Sequence, residues 1–164
     1  MVEFSYRVIR ALNRYITFTP EFRKLITREE FIIWAKRYLN YPYVLGGHWN
    51  TREEWIDCSH LISRILIDTG CMNPHFYRTA RYLQGITQTV VKADIQAWDL
   101  LFLWDDTVGH IGHVAIIEKW LWWERFSVID ASGPSTGIYS TTLREIDTSG
   151  ERYFVWKPIF FHTS

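Results

Sequence analysis

The sequence predicts an α+β domain, with helices in its first half and an antiparallel sheet in its second. Three observations carry this expectation. Residues 28–40 and 58–69 place apolar side chains at helical spacing. Residues 98–161 hold five runs rich in Val, Ile, Phe, Tyr and Trp. The links between those runs are short, which suits antiparallel neighbours and leaves no space for crossover helices.

The elements follow in order. Residues 2–15 put Val2, Tyr6, Ile9 and Leu12 near one helix face. Thr19-Pro20-Glu21 breaks that segment and suits the start of a short second helix. Thr27 fits an N-cap, with Glu29 and Glu30 in the first turn, and the helix runs through Phe31, Ile32, Ala35 and Leu39 to about Asn40. Pro42 stops it. Residues 43–57 read as a loop. The clearest helix is 58–69, where Leu61, Ile62, Ile65 and Leu66 form a stripe, Asp57 sits at the N-cap and Gly70 supplies the stop. Strands are expected at 98–104, 113–122, 125–132, 137–143 and 152–161.

Composition narrows the function. With 164 residues the chain fits one domain, and 48% hydrophobic residues fill a core without staples. Lys plus Arg and Asp plus Glu both number 18, which argues against a general nucleic-acid binder while leaving a local basic patch open. The cysteines are Cys58 and Cys71. A helix over 58–70 separates them by roughly 20 Å at ~1.5 Å per residue, too far for a disulfide. No Cys-x-x-Cys or His-Glu-x-x-His pattern is present, and His110 with His113 lacks further metal ligands, so neither metal nor cofactor is expected. Glu3, Arg7, Arg10 and Arg14 interrupt any signal-peptide core, and no apolar run of ~18 residues predicts a membrane span.

The candidate chemistry starts at Asp57-Cys58-Ser59. The first turn of a helix has unpaired N–H groups and partial positive charge, so a thiolate is stabilised there and serves as a nucleophile. The same pattern also fits a buried helix-start cysteine. His113 begins the expected strand His113-Val114-Ala115-Ile116-Ile117, where it suits either a base reaching a helix N-terminus or a polar strand end. His110 is a rival, placed in the preceding loop. Asp130, in Val128-Ile129-Asp130-Ala131-Ser132, falls near the level of His113–Lys119 if 113–122 and 125–132 form a hairpin. It is an orienting carboxylate or an ordinary strand-end acid. Trp120, Trp122 and Trp123 fit sheet packing or, if exposed, a binding patch. His48, Trp49 and Trp55 fit a substrate wall or loop anchors.

Several segments resemble one family. Tyr41-Pro42-Tyr43-Val44-Leu45-Gly46-Gly47 followed by Ile56-Asp57-Cys58-Ser59 is similar to the P-Y-x-x-G-G and D-C-S pattern of the NlpC cell-wall cysteine peptidases. Arg78-Thr79-Ala80 with Gln84, Asp99-Leu100-Leu101-Phe102, His113-Val114-Ala115-Ile116 and the Asp130 strand resemble its later segments in the same order. The resemblance covers about 28–161. It implies a papain-like fold, with N-terminal helices packed on an antiparallel sheet over 28–164, and leaves residues 1–27 as an N-terminal helical extension. It also implies hydrolysis of amide bonds in peptidoglycan stem peptides, commonly between D-glutamate and a diamino acid. Cys58 is then the nucleophile, His113 the base and Asp130 its orienting partner. The Cys58 N–H and Tyr43 hydroxyl bind the oxyanion, and Asp57 and Ser59 contact the substrate's amino end.

Three residues depart from that pattern. His60 stands where Gly is usual, so a bulkier polar group lines or restricts the site. Trp98 replaces a Gly, implying a changed turn, and Asp130 replaces a more frequent His. Related readings are an amidase or acyltransferase on another substrate, and a silent binding module. The missing signal fits either cytoplasmic recycling of wall peptides or delivery to the wall by another route.

Overall fold

The computed structural model describes residues 24–44, 56–72, 80, 83, 87–133, 140–150 and 152–158. The expected helix at 2–15, the break at Thr19-Pro20-Glu21 and most of the 1–27 extension lie outside them. So do Leu45-Gly46-Gly47, His48, Trp49, Trp55, Arg78, Thr79, Gln84, and the ends of two strands, 137–139 and 159–161.

Helix α1 spans Arg28–Arg37 and α2 spans Cys58–Asp68. Among the described residues six strands follow: β1 Thr87–Thr89, β2 Leu100–Asp105, β3 His110–Trp122, β4 Arg125–Ala131, β5 Thr141–Asp147 and β6 Tyr153–Pro158. They form one antiparallel sheet in the order β1-β6-β2-β3-β4-β5. The α+β expectation holds, with helices first and strands second.

Both helices start as the sequence predicts. Thr27 accepts from the Glu30 N–H at 3.1 Å, and Glu30 Oε2 accepts from the Thr27 N–H at 3.1 Å. This reciprocal pair satisfies first-turn donors that otherwise face water. The α2 stripe Leu61, Ile62, Ile65 and Leu66 is buried, and Gly70 ends the element at φ 75°. Helix α1 ends earlier than predicted, at Arg37. Asn40 turns the chain at φ 71°, and the backbones of Asn40 and Tyr41 then bond to Thr141 of β5. Pairing with another strand, rather than Pro42 alone, ends the helix.

The core lies between the helices and one sheet face. Phe31, Ala35, Leu61, Ile62, Ile65 and Leu66 meet Leu100, Phe102, Val114, Ile116 and Ile129. A smaller apolar cluster gathers Leu101, Ala115, Ile117, Phe126, Val128 and Val155. The alternation Leu100/Phe102 against Leu101 shows the two-residue strand period directly.

Several expectations are corrected. Strand β3 begins at His110, so His110 lies on a strand rather than in a loop, and His113 is its fourth residue. The ladder shifts between Trp104↔Ile111 and Leu103↔His113, leaving Gly112 as the extra residue. A side chain there would meet Asp105 Cβ at 2.6 Å. Strand β5 covers 141–147 and so runs past the expected end at 143. Its Leu143, Glu145 and Asp147 face solvent at the sheet edge, so it lacks the apolar run that marks inner strands. Strand β1 was not anticipated; three polar residues give no periodic signal. Trp98 has φ 77°, a conformation that favours glycine, and its ring is buried. The segment therefore keeps a glycine-like turn, with indole packing to offset the strain. Asp99 is buried and paired with Arg28 at 2.9 Å, tying this turn to α1. The tryptophans of the β3–β4 hairpin are exposed: Trp120 37%, Trp122 62% and Trp123 74%, which excludes core packing for them.

The capping box gives a direct test. Thr27→Ala should lower stability by about 1 kcal/mol. The urea midpoint should fall while the slope of the transition stays constant.

Candidate active site

The site gathers where the start of α2 meets strands β3, β4 and β5. Asp57 caps the helix: its Oδ1 accepts from the His60 N–H at 2.8 Å and from the Ser59 hydroxyl at 3.1 Å. The carboxylate sits at the positive end of the helix, where it is favoured. With Asp57 as cap, Cys58 is the first helical residue. It is half-buried, Cys71 is fully buried, and neither is in a disulfide. The Thr69 hydroxyl contacts the Cys71 sulfur at 3.3 Å, and burial raises the pKa of that thiol.

His113 lies between Cys58 and Asp130. Its Nε2 is 2.8 Å from Asp130 Oδ2, and the ring lies near enough to Cys58 to feel the charge of the thiolate. Burial disfavours the charged ring. The Cys58 anion, the hydrogen bond to Asp130 and the Asp130 charge outweigh this and push the imidazole up to about 10. His110 takes no part: its Nδ1 lies 2.8 Å from the Ile111 carbonyl.

Asp130 is fully buried. Beyond His113 it accepts from the Ser132 hydroxyl at 3.1 Å, from Arg144 Nε at 3.0 Å and from Arg144 Nη2 at 2.8 Å. Burial alone would raise its pKa; the hydrogen bonds and charges of His113 and Arg144 reverse this and lower it. The sequence reading missed Arg144. The ladder pairs it with Val128, two residues from Asp130, so it lies diagonally across from the carboxylate. The expected strand stopped at Leu143, one residue short. The alternation of 141–147 was the available signal, and its polar character hid it.

Tyr43 also lies beside the thiol. Bridges Pro42↔Ser140 and Tyr43↔Ile56 fix its backbone. Burial, then the charges of Cys58 and Asp57, push its hydroxyl up to about 12, so Tyr43 keeps its proton and donates. Ser59 is buried, and His60 lies on the same first turn. Asp57, Cys58, Ser59 and His60 thus share one helix start, and Cys58, His113, Asp130 and Tyr43 converge around the thiol. Among the described residues no group of three His, Cys, Asp or Glu forms a metal site.

Gly133 leaves room for the Tyr43 ring. A Cβ there would overlap Tyr43 Cε1 and stand 2.8 Å from Cζ. Gly133→Ala should therefore cost about 1–3 kcal/mol by overpacking. Tyr43→Ala should remove much of that penalty in the double variant, as a cycle of denaturation midpoints will read.

No family model matches the chain, and no curated protein matches it. Solved structures do. A lipoprotein-like protein of the NLP/P60 family from Staphylococcus aureus superposes with a TM-score of 0.55 at 24% identity, covering 87% of this chain and 44% of that one. An NlpC/P60 family protein from Bacillus cereus gives 0.62 at 21%, covering 83% and 41%. This chain thus spans less than half the length of either. RipD from Mycobacterium tuberculosis, described as a non-catalytic NlpC/p60 domain protein adapted to peptidoglycan binding, gives 0.53 at 14% identity, covering 79% and 95%. The chain has the NlpC/P60 fold.

Proposed function

We propose that this protein is a cysteine peptidase that hydrolyses amide bonds of peptidoglycan stem peptides, with the D-glutamyl–diamino-acid bond as its target. The observation that carries the reading is His113 held between the Cys58 thiol and the buried Asp130. Fold likeness and the sequence resemblance supply the substrate class.

The steps follow from the residues. Cys58 sulfur attacks the amide carbonyl carbon, and the carbonyl π-electrons move onto oxygen. The oxyanion meets the Cys58 N–H, which has no acceptor in the first turn of a helix, and the protonated Tyr43 hydroxyl. His113 gives its proton to the leaving nitrogen as the C–N bond breaks, leaving a thioester. The neutral imidazole then takes a proton from water, whose oxygen attacks the thioester carbon. The thiolate departs, the acid product leaves, and His113 is protonated again. Asp130 engages Nε2 of the ring, which leaves Nδ1 for proton exchange with the thiol. Asp57 and Ser59 line the side that receives the substrate's amino end, and His60 narrows it.

A second reading has one observation in its favour: the likeness to RipD, which binds peptidoglycan without catalysis. In that case the pocket holds stem peptide and no bond is cut. Mass spectrometry of purified wall fragments separates the two. The peptidase reading expects products gaining one water, lost in Cys58→Ala and kept in Cys71→Ala. Intact fragments with the folded parent protein would overturn it.

The base is tested by ranking two histidines. His113→Ala should lower turnover at least ~100-fold, and His110→Ala much less. The reverse order would reject His113.

The proton on His113 sets the alkaline limb of the rate profile. A group raised from 6.5 to about 10 holds its proton below that upper value and loses it as pH rises through it. Asp130→Asn removes the charge that favours the proton, so the alkaline limb should move to lower pH while measurable activity persists. An unchanged limb and rate in folded Asp130→Ala would leave only a Cys58–His113 dyad.

A further inference from the structure

Asp130 brings a full charge to a position where the resemblance leads one to expect a neutral imidazole. A buried carboxylate beside a thiolate–imidazole pair would hold the proton on the ring very strongly, and that proton must leave for the amide nitrogen. Two features of β5 bear on this. Arg144 reaches both Asp130 oxygens, Nε to Oδ1 at 3.0 Å and Nη2 to Oδ2 at 2.8 Å. Its Nη2 and His113 Nε2 share the same oxygen, Oδ2. The guanidinium side chain is only 22% exposed and Asp130 is 0% exposed, so solvent screens the pair weakly.

We propose that Arg144 is a positioning residue of this site, orienting the Asp130 carboxylate toward His113 and balancing its charge so that the Asp130–Arg144 pair acts together as a nearly neutral acceptor. The two parallel bonds fix the carboxylate plane, as arginine does better than lysine. The shared Oδ2 divides its electron density among three donors, Arg144, His113 and the Ser132 hydroxyl, which weakens its hold on the His113 proton. Among the described residues, the charged or titratable groups around the ring are Cys58 on α2, Tyr43 on the bridge segment, Asp130 on β4 and Arg144 on β5, with Asp57 facing Tyr43. Of these only Arg144 is a permanent cation, so only its removal makes the surroundings of the ring more negative.

This inference rests on the reading of His113 as the proton carrier, but its readout needs no turnover. Cys58→Ala removes the anion that raises the imidazole most, bringing the His113 titration down into an accessible range. NMR of labelled histidine then follows His113 against pH in that background. Adding Arg144→Met should move the titration up by about one pH unit. Arg144→Lys, which keeps the charge, should move it by much less. With Cys58 intact, Arg144→Met should lower kcat while leaving KM nearly unchanged, and Arg144→Lys should recover part of the loss. If Arg144→Met lowers thermal stability but leaves the His113 titration in place, Arg144 is only structural and the proposal fails. Should Arg144→Met not fold, Arg144→Lys and Arg144→Gln carry the comparison: Gln must shift the titration upward relative to Lys, and equal values would overturn the proposal. A silent protein would show the same titrations with no kcat to compare, which separates this inference from the peptidase reading.

Discussion

A carboxylate removed entirely from water dictates the layout of this site. Asp130 has no exposed surface, and an unpaired ion there would be too costly to keep. It is satisfied by three side chains from three places: His113 on β3, Ser132 just after β4 and Arg144 on β5. Removing one partner of such a buried group costs about 3–5 kcal/mol. The register of three strands is therefore coupled to the chemistry. A slip of one residue in β4 against its neighbours would turn Asp130 to the other face and break its bonds to His113 and Arg144.

Strand β5 connects this arrangement to the helical half. Its first residue, Thr141, pairs with the backbone of Asn40 and Tyr41, and Ser140 bridges Pro42. Tyr43 follows immediately. One edge strand thus holds the cation behind Asp130 and the chain that delivers the phenol to Cys58. Helix α2 brings the thiol, with Asp57 consuming the His60 N–H and Cys58 taking the first helical position. The burial of Leu61, Ile62, Ile65 and Leu66 fixes how far that helix start reaches over the sheet.

Much of this was legible in sequence. The α2 stripe has a strong helical period, and Thr27, Asp57 and Gly70 are residues with a specific local reason to begin or end helices. Cys58, His113 and Asp130 were singled out from their positions on those elements, and they meet in space. What stayed hidden has common causes. Arg144 sits on a solvent-facing edge strand whose alternation is polar, so no run of Val, Ile and aromatic residues marks it. Strand β1 is three residues long, below any periodic signal. His110 was assigned to a loop because Gly109 and Gly112 flank it, yet Gly112 marks an irregularity inside the strand. Trp98 was read as a changed turn; the tertiary packing of its ring allows a glycine-like backbone instead. In each case a long-range contact outweighs local preference.

The central claim is that His113 serves the Cys58 thiol. Alkylation of the folded protein by iodoacetamide, with the modified cysteine identified by peptide mass spectrometry, tests it most directly. Cys58 should react well before the buried Cys71, and His113→Ala should slow the Cys58 reaction at neutral pH while leaving Cys71 unchanged. Equal Cys58 alkylation rates with and without His113 would contradict the account.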